Sequence, residues 1–449
     1  MPCAIFLKTS GQKGHNRYTT ATIWFGGTVL STARAQIFSI SSLLLGMSML
    51  QIGSSLQSTL VAVRGVDETF STTTISLFAS GYFLGFVVGT LTTAYLIERA
   101  GHIRGFTALA SLASVAALGH IILIDPIAWI SFRAISGFCF AGIYMTIESW
   151  MNERASNETR GQVLAAYMGV NLLSLTAGQF LLTTNDPSGY ILFCLISVMV
   201  SLSIIPVAIT RTQAPVPPKP RPLPIRRIFR ISPLGFMGCL AFGFAMGAFW
   251  GLAPVFAEHT SKDTRDIAIF MALSILGGGL MQWPIGWLSD HFDRRTVLMI
   301  TALSAAGACA AIVYMGLFRP EAILFAAILF GATAFPVQAL SVSHANDYVG
   351  SDERVLVSGT LLLVYGVGAV LGPLFAGFVM QQLGDIGLFY YIGAIFAFIG
   401  LYAIWRMTRR SAVPLEEQAE FTPAPATTPM VMELDPQATS DAGSENSNR

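Results

Sequence analysis

The stretch Gly286-Trp-Leu-Ser-Asp-His-Phe-Asp-Arg-Arg295 is a short charged turn between two long apolar runs. A weaker copy, Ala94-Tyr-Leu-Ile-Glu-Arg-Ala-Gly-His-Ile-Arg104, begins 192 positions earlier. A second pair repeats at nearly the same distance. Ser149-Trp-Met-Asn-Glu153 returns 194 positions later as Ser343-His-Ala-Asn-Asp347, and an arginine follows each acid by seven residues. Two different loops that recur at one offset indicate that the chain consists of a duplicated unit.

The composition is that of a membrane protein. The 449 residues are 53% hydrophobic and 11% charged, with a mean hydropathy of +0.62, whereas soluble domains carry about 25% charged residues. Because the net charge is only +1, we expect no nucleic-acid partner. The five cysteines have no paired spacing, so we expect neither a disulfide framework nor a metal site.

Apolar runs long enough to cross a bilayer, about 20 residues each, recur along the chain. Twelve are predicted, at 37–62, 71–97, 103–124, 127–150, 161–183, 190–210, 233–257, 266–288, 296–317, 321–344, 355–380 and 386–408. The duplication divides them equally. The expected fold is therefore an all-α membrane protein with twelve transmembrane helices in two pseudo-symmetric six-helix halves.

The segments between and beyond the halves have their own character. We expect an N-terminal half at 37–210, a Pro-rich basic linker at 211–232, and a C-terminal half at 233–408. The linker is either a solvated connection or, over Arg226–Arg230, a short amphipathic piece on anionic lipid. Residues 409–449 are rich in Pro, Ser, Thr and acids, which is typical of a disordered tail.

The distribution of basic residues predicts the orientation. With both termini in the cytoplasm, the inside segments hold 21 of the 26 Lys and Arg, and the outside loops hold four. Residues 1–36 imitate a signal peptide, with Ala33-Arg-Ala35 as the cleavage site. Because the charge bias favours an uncleaved chain, we interpret 1–36 as a cytoplasmic N-terminal extension. The expected location is the cytoplasmic (inner) membrane of a bacterial-type cell, with multiple passes.

The charged loops resemble those of the major facilitator superfamily. Gly286, Leu288, Asp290, Arg294 and Arg295 fit that family's loop pattern Gly-x-Leu-x-Asp-Arg-x-Gly-Arg-Arg, and the first half retains its arginines. Two further stretches fit patterns of the family: Arg133-Ala-Ile-Ser-Gly-Phe-Cys-Phe-Ala141 fits its fourth-helix pattern, and Glu153 through Arg160-Gly161 fits a loop pattern. The stretch Glu148-Ser-Trp-Met-Asn-Glu-Arg-Ala155 is similar to a poorly characterised bacterial branch of the family.

The resemblance implies two sets of functional residues. The family's loop charges latch helix ends on the cytoplasmic side, and their counterparts here are Glu98, Arg99, Arg104, Glu153, Arg160, Asp290, Arg294, Arg295, Asp347 and Arg354. Helices 1, 4, 7 and 10 of the family line a central cavity, which implies substrate contacts for Gln51, Tyr144, Trp250 and Gln338. One pattern departs from the family's antiporters, because the motif Gly-x-x-x-Gly-Pro is better matched in helix 11, at Gly368–Pro373, than in helix 5.

Arg133 is the one Lys or Arg that lies well inside a predicted helix. It is about six residues from the outer end, roughly 9 Å of helix rise. It either faces the translocation path, where it binds an anionic group or assists proton transfer, or extends to the outer headgroups. Its counterpart in the second half is Ala327, so duplication alone does not explain it.

Other polar residues in the apolar runs are also candidates. Helix 1 carries Ser48, Gln51, Ser55 and Ser58 at helical spacing, and helix 5 carries a shorter stripe with Asn171. Such stripes face either neighbouring helices or a water-filled path. Of these, Gln51, Ser55 and Asn171 join the substrate-binding candidates.

Glu148 lies near the inner end of helix 4. It either binds protons for coupling or pairs with a loop arginine.

These observations predict a secondary active transporter that moves a small organic solute by alternating access and is coupled to protons. The alternative is a transporter-like membrane sensor that signals through its cytoplasmic tail. We expect no enzymatic activity, no cofactor and no metal, because no catalytic constellation or ATP-binding loop occurs. The expected partners are a small-molecule substrate and the lipid bilayer, without ATP or nucleic acid, and the chain is expected to be a monomer.

Overall fold

Helices make up nearly all of the part of the chain that the structure describes. This computed structural model describes residues 28–156, 158–208, 224–261, 263–319 and 322–422, and no strand occurs in those ranges. Eleven of the described helices are long and apolar enough to cross a membrane. The first helix, Thr28–Asp67, is 40 residues long and covers the first predicted span. The predicted all-helical fold of twelve spanning helices in two halves is confirmed.

The six spanning helices of the first half are α1 (Thr28–Asp67), α2 (Thr72–Ala100), α3 (His102–Ile122), α4 (Pro126–Arg154), α5 (Arg160–Leu181) and α6 (Ile191–Ala208). Those of the second half are α7 (Pro233–Ser261), α8 (Thr264–His291), α9 (Arg294–Phe318), α10 (Ile323–Asn346), α11 (Ser351–Leu383) and α12 (Gly387–Met407). Helix α10 is interrupted at Phe335, because Pro336 has no N–H to donate to a helical hydrogen bond, although Phe335 itself keeps helical dihedral angles.

Short capped loops explain why consecutive helices are antiparallel neighbours. The carboxylate of Asp125 accepts a hydrogen bond from the backbone N–H of Ala128 at 2.9 Å, and Pro126 begins α4. Asp263 and Asp293 cap α8 and α9 in the same way, through the backbone N–H groups of the residues two positions later. Each chain reversal therefore needs only a few residues, and the helices pack side by side.

Glycines allow the closest helix contacts, and these contacts repeat in both halves. Gly137 on α4 lies against the backbone carbonyl of Tyr82 on α2, and Gly331 on α10 lies against that of Ser274 on α8. A Cβ atom at either glycine would overlap the facing carbonyl oxygen. Gly137 is the glycine of the Arg133–Ala141 stretch, so this pattern serves helix packing in addition to any role in transport.

The two halves meet away from the charged loops. We define the charged-loop end as the end of the bundle that carries residues 94–104 and 286–295. Near the opposite end, Gly377 of α11 lies against Ser76 of α2. Near the middle, Gly279 of α8 lies against Leu172 of α5. Toward the charged-loop end the halves leave a cavity between them.

Three features fall outside the predicted boundaries. Helix α1 begins at Thr28, within the segment expected to be an extension. A short linker helix, Ile225–Ile231, contains the basic segment of the linker, and its Arg227 pairs with Glu353 at 2.6 Å. Ala419 and Phe421, in the segment expected to be a disordered tail, bind side chains at the charged-loop end. Residues 1–27, 209–223 and 423–449 are outside the described residues.

Candidate functional site

A cavity of about 730 Å³ lies between the two halves. Its walls come from α1, α2, α4 and α5 of the first half and from α7, α8, α10 and α11 of the second. It extends from Val61 and Ile75 to Trp287 and Asp290, which are exposed at the charged-loop end. Its size is that of pockets that hold small organic molecules, about 300–1,000 Å³.

All seven residues predicted to contact substrate line this cavity. They come from five different helices, α1, α4, α5, α7 and α10: Gln51, Ser55, Arg133, Tyr144, Asn171, Trp250 and Gln338. Their placement shows that they share one space; their role in binding stays a prediction.

The amide of Gln51 is held by residues from two other helices. Its Nε2 donates to Asn171 Oδ1 on α5 at 2.9 Å, and its Oε1 accepts a hydrogen bond from the Tyr144 hydroxyl on α4. Because both ends of the amide are engaged, its orientation is fixed before any solute arrives. Such prearranged polar groups give a mainly apolar pocket its selectivity.

Both interpretations of the polar stripe on α1 apply. Ser48 shares a 2.8 Å hydrogen bond with Ser174, and the hydroxyl of Ser55 donates to the carbonyl of Leu175 at 2.7 Å, so the stripe joins α1 to α5. Ser55 and Ser58 also line the cavity. The stripe therefore serves helix packing on one side and the cavity on the other.

Gln179 belongs to the same network and was missed. Its Nε2 donates to Ser55 Oγ at 2.8 Å, and its Oε1 accepts from Thr59 Oγ1 at 2.8 Å. A signal was available, because Asn171, Leu175 and Gln179 follow one another at four-residue spacing on one helix face. The polar stripe of α5 is thus longer than we predicted.

Arg133 faces the cavity from α4. Its residue surface is 5% exposed, and its guanidinium carbon lies 4.5 Å from the ring centre of Tyr82, in cation–π geometry. Among the described residues, no carboxylate lies within ion-pair distance of it. The counterpart Ala327 is buried, as expected for a position without a polar role. Tyr82 was missed, because an aromatic residue in an apolar run has no distinguishing sequence mark.

Aromatic side chains form much of the remaining wall. Trp250 packs against Phe335 with ring centres 5.8 Å apart, and its backbone carbonyl accepts a hydrogen bond from Ser58 at 3.4 Å. Trp283 on α8 is 78% exposed although it lies inside the apolar run of that helix, because it faces the cavity. The site combines aromatic surface with a few oriented polar groups and one guanidinium.

Glu148 lies outside the cavity wall. It is fully buried between α4 and α5, and its Oε1 accepts a hydrogen bond from the Tyr167 hydroxyl at 2.6 Å. No other Asp or Glu among the described residues of the spanning helices is buried. A role in proton coupling stays a prediction.

The loop charges of the second half form a compact cluster centred on Arg294, whose side chain is 1% exposed. Its Nε donates to Ser289 Oγ at 2.8 Å, and its Nη1 donates to Ser343 O at 3.2 Å and to the Asp347 carboxylate. Its Nη2 donates to Asp290 Oδ1 at 3.1 Å and to the carbonyl of Ala419 at 2.6 Å. Every N–H group of the guanidinium is therefore used.

Opposing effects act on the carboxylate of Asp347. Burial raises its pKa to about 6, while Arg294 and the backbone N–H of Ala419 act in the opposite direction. Beside it, Arg295 pairs with Asp293 at 2.9 Å and donates to the carbonyl of Arg410 at 2.6 Å. Arg354 of the predicted latch is partly buried nearby, and its charge also acts on Asp347.

The equivalent charges of the first half are arranged differently. Glu98, Arg99, Arg104 and Glu153 are exposed, and Arg160 is partly buried. Within the described ranges, the side chains of Glu98, Arg99 and Arg104 make no hydrogen bond or ion pair. The role of the loop charges of both halves as a latch stays a prediction.

The charged cluster has the wrong donor set for a metal. Asp290 and Asp293 are engaged by Arg294 and Arg295, and the described residues contain no group of three acidic, His or Cys side chains placed to hold an ion.

Comparison with known proteins places these features in a family. A family model described as Major Facilitator Superfamily matches residues 37–361 and 266–438. The chain is 29% identical over 377 residues to an "Uncharacterized MFS-type transporter YcaD" of Salmonella newport (strain SL254), covering 83% of this chain and 97% of the relative. Solved structures of the same fold include the nucleoside transporter NupG, with a TM-score of 0.68, 14% identity and coverage of 82% of this chain and 97% of that one. A D-xylose-proton symporter matches with a TM-score of 0.59, 15% identity and coverage of 84% and 97%.

Proposed function

The chain belongs to the major facilitator superfamily, and we propose that it is a secondary active transporter that moves a small organic solute across the cytoplasmic membrane. The observation that carries the proposal is the cavity of about 730 Å³ at the interface of the two halves. Solute sites at the interface of repeated halves are typical of secondary transporters, in which one half rocks against the other.

The arrangement of the halves corresponds to one state of this cycle. Contacts such as Gly377 with Ser76 close the end opposite the charged loops, while the cavity extends to Asp290 at the charged-loop end. The positive-inside bias assigns the charged-loop end to the cytoplasm, together with both termini. In this assignment the conformation is inward-open, and rocking of the halves would expose the same cavity to the other side.

The solute carries an anionic group. A buried guanidinium without a carboxylate partner is unfavourable in a membrane protein unless another group compensates it. Arg133 has the Tyr82 ring on one face and the cavity beside it, so a carboxylate or phosphate could take the remaining donors in two parallel hydrogen bonds. The aromatic wall at Trp250 and Trp283 would contact the apolar part of the solute.

Proton coupling is the energy source in this proposal. Glu148 is buried next to the Tyr167 hydroxyl, so its protonation would change a contact between α4 and α5. A D-xylose-proton symporter shares the fold, which is consistent with this form of coupling. The proposal includes no enzymatic step, cofactor or ATP, and the chain acts as a monomer in the bilayer.

The alternative function is a membrane sensor that signals through the tail. The observation in its favour is the contact of Ala419 and Phe421 with Asp347 and Asp290, which links the tail to the cavity mouth. Deletion of residues 411–449 separates the two functions, because transport survives the deletion in a transporter and signalling does not survive it in a sensor.

A thermal-shift screen of the purified protein tests the proposed function. The protein in detergent is heated with each member of a library of metabolites and drugs. We expect organic anions to raise the melting temperature of the unsubstituted chain and not that of the Arg133→Ala variant. Hits confined to cations, or hits that stabilise both proteins equally, would contradict the proposed site.

A further inference from the structure

The tail segment Gln418–Phe421 crosses the charged-loop end after a single helical turn at Leu415–Glu417. Three of its backbone groups are bound by side chains of the second half. The carbonyl of Ala419 accepts from Arg294 Nη2 at 2.6 Å, and its N–H donates to Asp347 Oδ1 at 3.1 Å. The N–H of Phe421 donates to Asp290 Oδ1 at 2.8 Å.

These contacts complete a buried charged site. Arg294 has five N–H donors, and the described residues of the bundle accept four of their hydrogen bonds, so the carbonyl of Ala419 takes the fifth. A buried donor without an acceptor is unfavourable. The docked tail therefore stabilises this conformation, because without it one buried N–H group of Arg294 would lack an acceptor.

The ring of Phe421 adds a side-chain contact at the mouth of the cavity. It lies against Gly286, where a Cβ atom would overlap the ring, and it lines the cavity together with Trp287. The glycine that begins the charged turn thus leaves space for this ring. Backbone contacts hold the segment in place, and Phe421 covers part of the opening.

We propose that residues 418–421 act as a tethered plug, which stabilises the inward-open state and narrows the cytoplasmic mouth of the cavity. While the tail is docked, Asp290, Arg294 and Asp347 bind the tail, and the first-half charges Glu98 and Arg99 remain exposed. Release of the tail frees the cluster for contact with the first half. The tail thereby couples access to the cavity with the position of the halves, an inference that rests on the proposed function.

Cysteine labelling in the cavity measures this plug without a substrate. Gly169 lines the cavity and a Cβ atom there meets nothing within 4 Å, so Gly169→Cys places a thiol in open space. The full chain in detergent is labelled with a membrane-impermeant maleimide. The unsubstituted chain gives the background from the native thiols, which include the partly buried Cys194 beside the buried Cys139, Cys239 and Cys309, and this rate is subtracted.

Three further changes are compared in the Gly169→Cys background. We expect Phe421→Ala, and a chain that ends at Pro414, to be labelled about five- to tenfold faster, because loss of a packed phenylalanine ring shifts a docking equilibrium by about this factor. Gly286→Ala should also speed labelling, because its Cβ atom would overlap the Phe421 ring. Leu415→Ala is the matched control, since this tail residue is 52% exposed and should leave the rate unchanged.

A peptide tests the segment itself. The peptide Leu-Glu-Glu-Gln-Ala-Glu-Phe-Thr, residues 415–422, is added to the truncated chain at about 1 mM, the effective concentration of a short tether. We expect it to slow labelling toward the full-chain rate, and the same peptide with Phe→Ala to be inactive. Equal labelling of the full and truncated chains, or no effect of the peptide, would overturn the plug. Because labelling needs no transport, these outcomes are independent of the substrate screen.

Discussion

Replacement of Arg133 by lysine and by alanine separates a binding role from an anchoring role. The side chain is almost fully buried, faces the cavity and lies over the Tyr82 ring. If its planar fork binds an anionic group, lysine keeps the charge but loses one of two parallel hydrogen bonds. A hydrogen bond to a charged group contributes about 1.5–3 kcal/mol, so Arg133→Lys should weaken the dissociation constant at least about tenfold.

Arg133→Ala should have a larger effect. Truncation of one partner of a buried charge pair costs about 2–5 kcal/mol, which corresponds to at least about thirtyfold weaker binding. Tyr82→Phe is the matched control, because it keeps the ring face under the guanidinium, and binding should stay within about twofold. The melting temperature of each variant without solute shows whether the fold is intact.

The assay is the dissociation constant of a hit from the thermal-shift screen, followed by transport of that hit in proteoliposomes. Full binding and transport in Arg133→Lys would refute the reasoning, because an arginine that only reaches toward the outer headgroups can be replaced by lysine. Equal loss in Tyr82→Phe and Arg133→Ala would also contradict it, since the phenylalanine variant leaves the cation in place.

Three further predictions concern topology, the latch and packing. Ser10→Cys and Ser440→Cys should be labelled by an impermeant maleimide only from the cytoplasmic side; labelling of either in intact cells would disprove the orientation. Asp290→Asn should slow turnover with normal expression, because the carboxylate pairs with Arg294 and binds the N–H of Phe421, contacts worth roughly 0–1 kcal/mol for a partly exposed pair; unchanged transport would exclude a role of this charge in the latch. Gly331→Val should destabilise the α8–α10 contact by about 1–3 kcal/mol and lower the melting temperature. Gly307→Ala adds a Cβ atom in open space and should leave the melting temperature unchanged. Equal melting temperatures of the two variants would contradict the packing argument.

The fold and most of the cavity wall could be predicted because each rests on a constraint that acts on the sequence itself. Two loops that repeat at one offset identify two halves, whatever their structure. Polar residues such as Gln51 and Asn171 are recognisable in apolar helices, because the bilayer offers them no hydrogen-bond partner and they must face inward. An arginine inside an apolar run, such as Arg133, is recognisable for the same reason.

The aromatic part of the wall could not be predicted in this way. Tyr82 and Trp283 lie in apolar runs where an aromatic side chain can face lipid, a neighbouring helix or the cavity at similar cost. Only the packing of the helices decides which of these surroundings each residue has. Trp250 was identified through the family resemblance, and its position in the sequence alone gives no such indication.

The docked tail shows a different kind of gap. Composition predicts disorder for residues 409–449 from a shortage of apolar side chains that could be buried. Residues 418–421 instead use backbone N–H and C=O groups, which every non-proline residue carries, and a single ring at Phe421. Asp290, Arg294 and Asp347 were predicted as latch residues, but their contact with the tail was not expected. Arg294 needs an acceptor for every N–H group in each conformation, so when the halves separate at this end, another segment has to supply one. In this conformation the carbonyl of Ala419 in the chain's own tail supplies it, and the same cluster can bind a different partner in the other state.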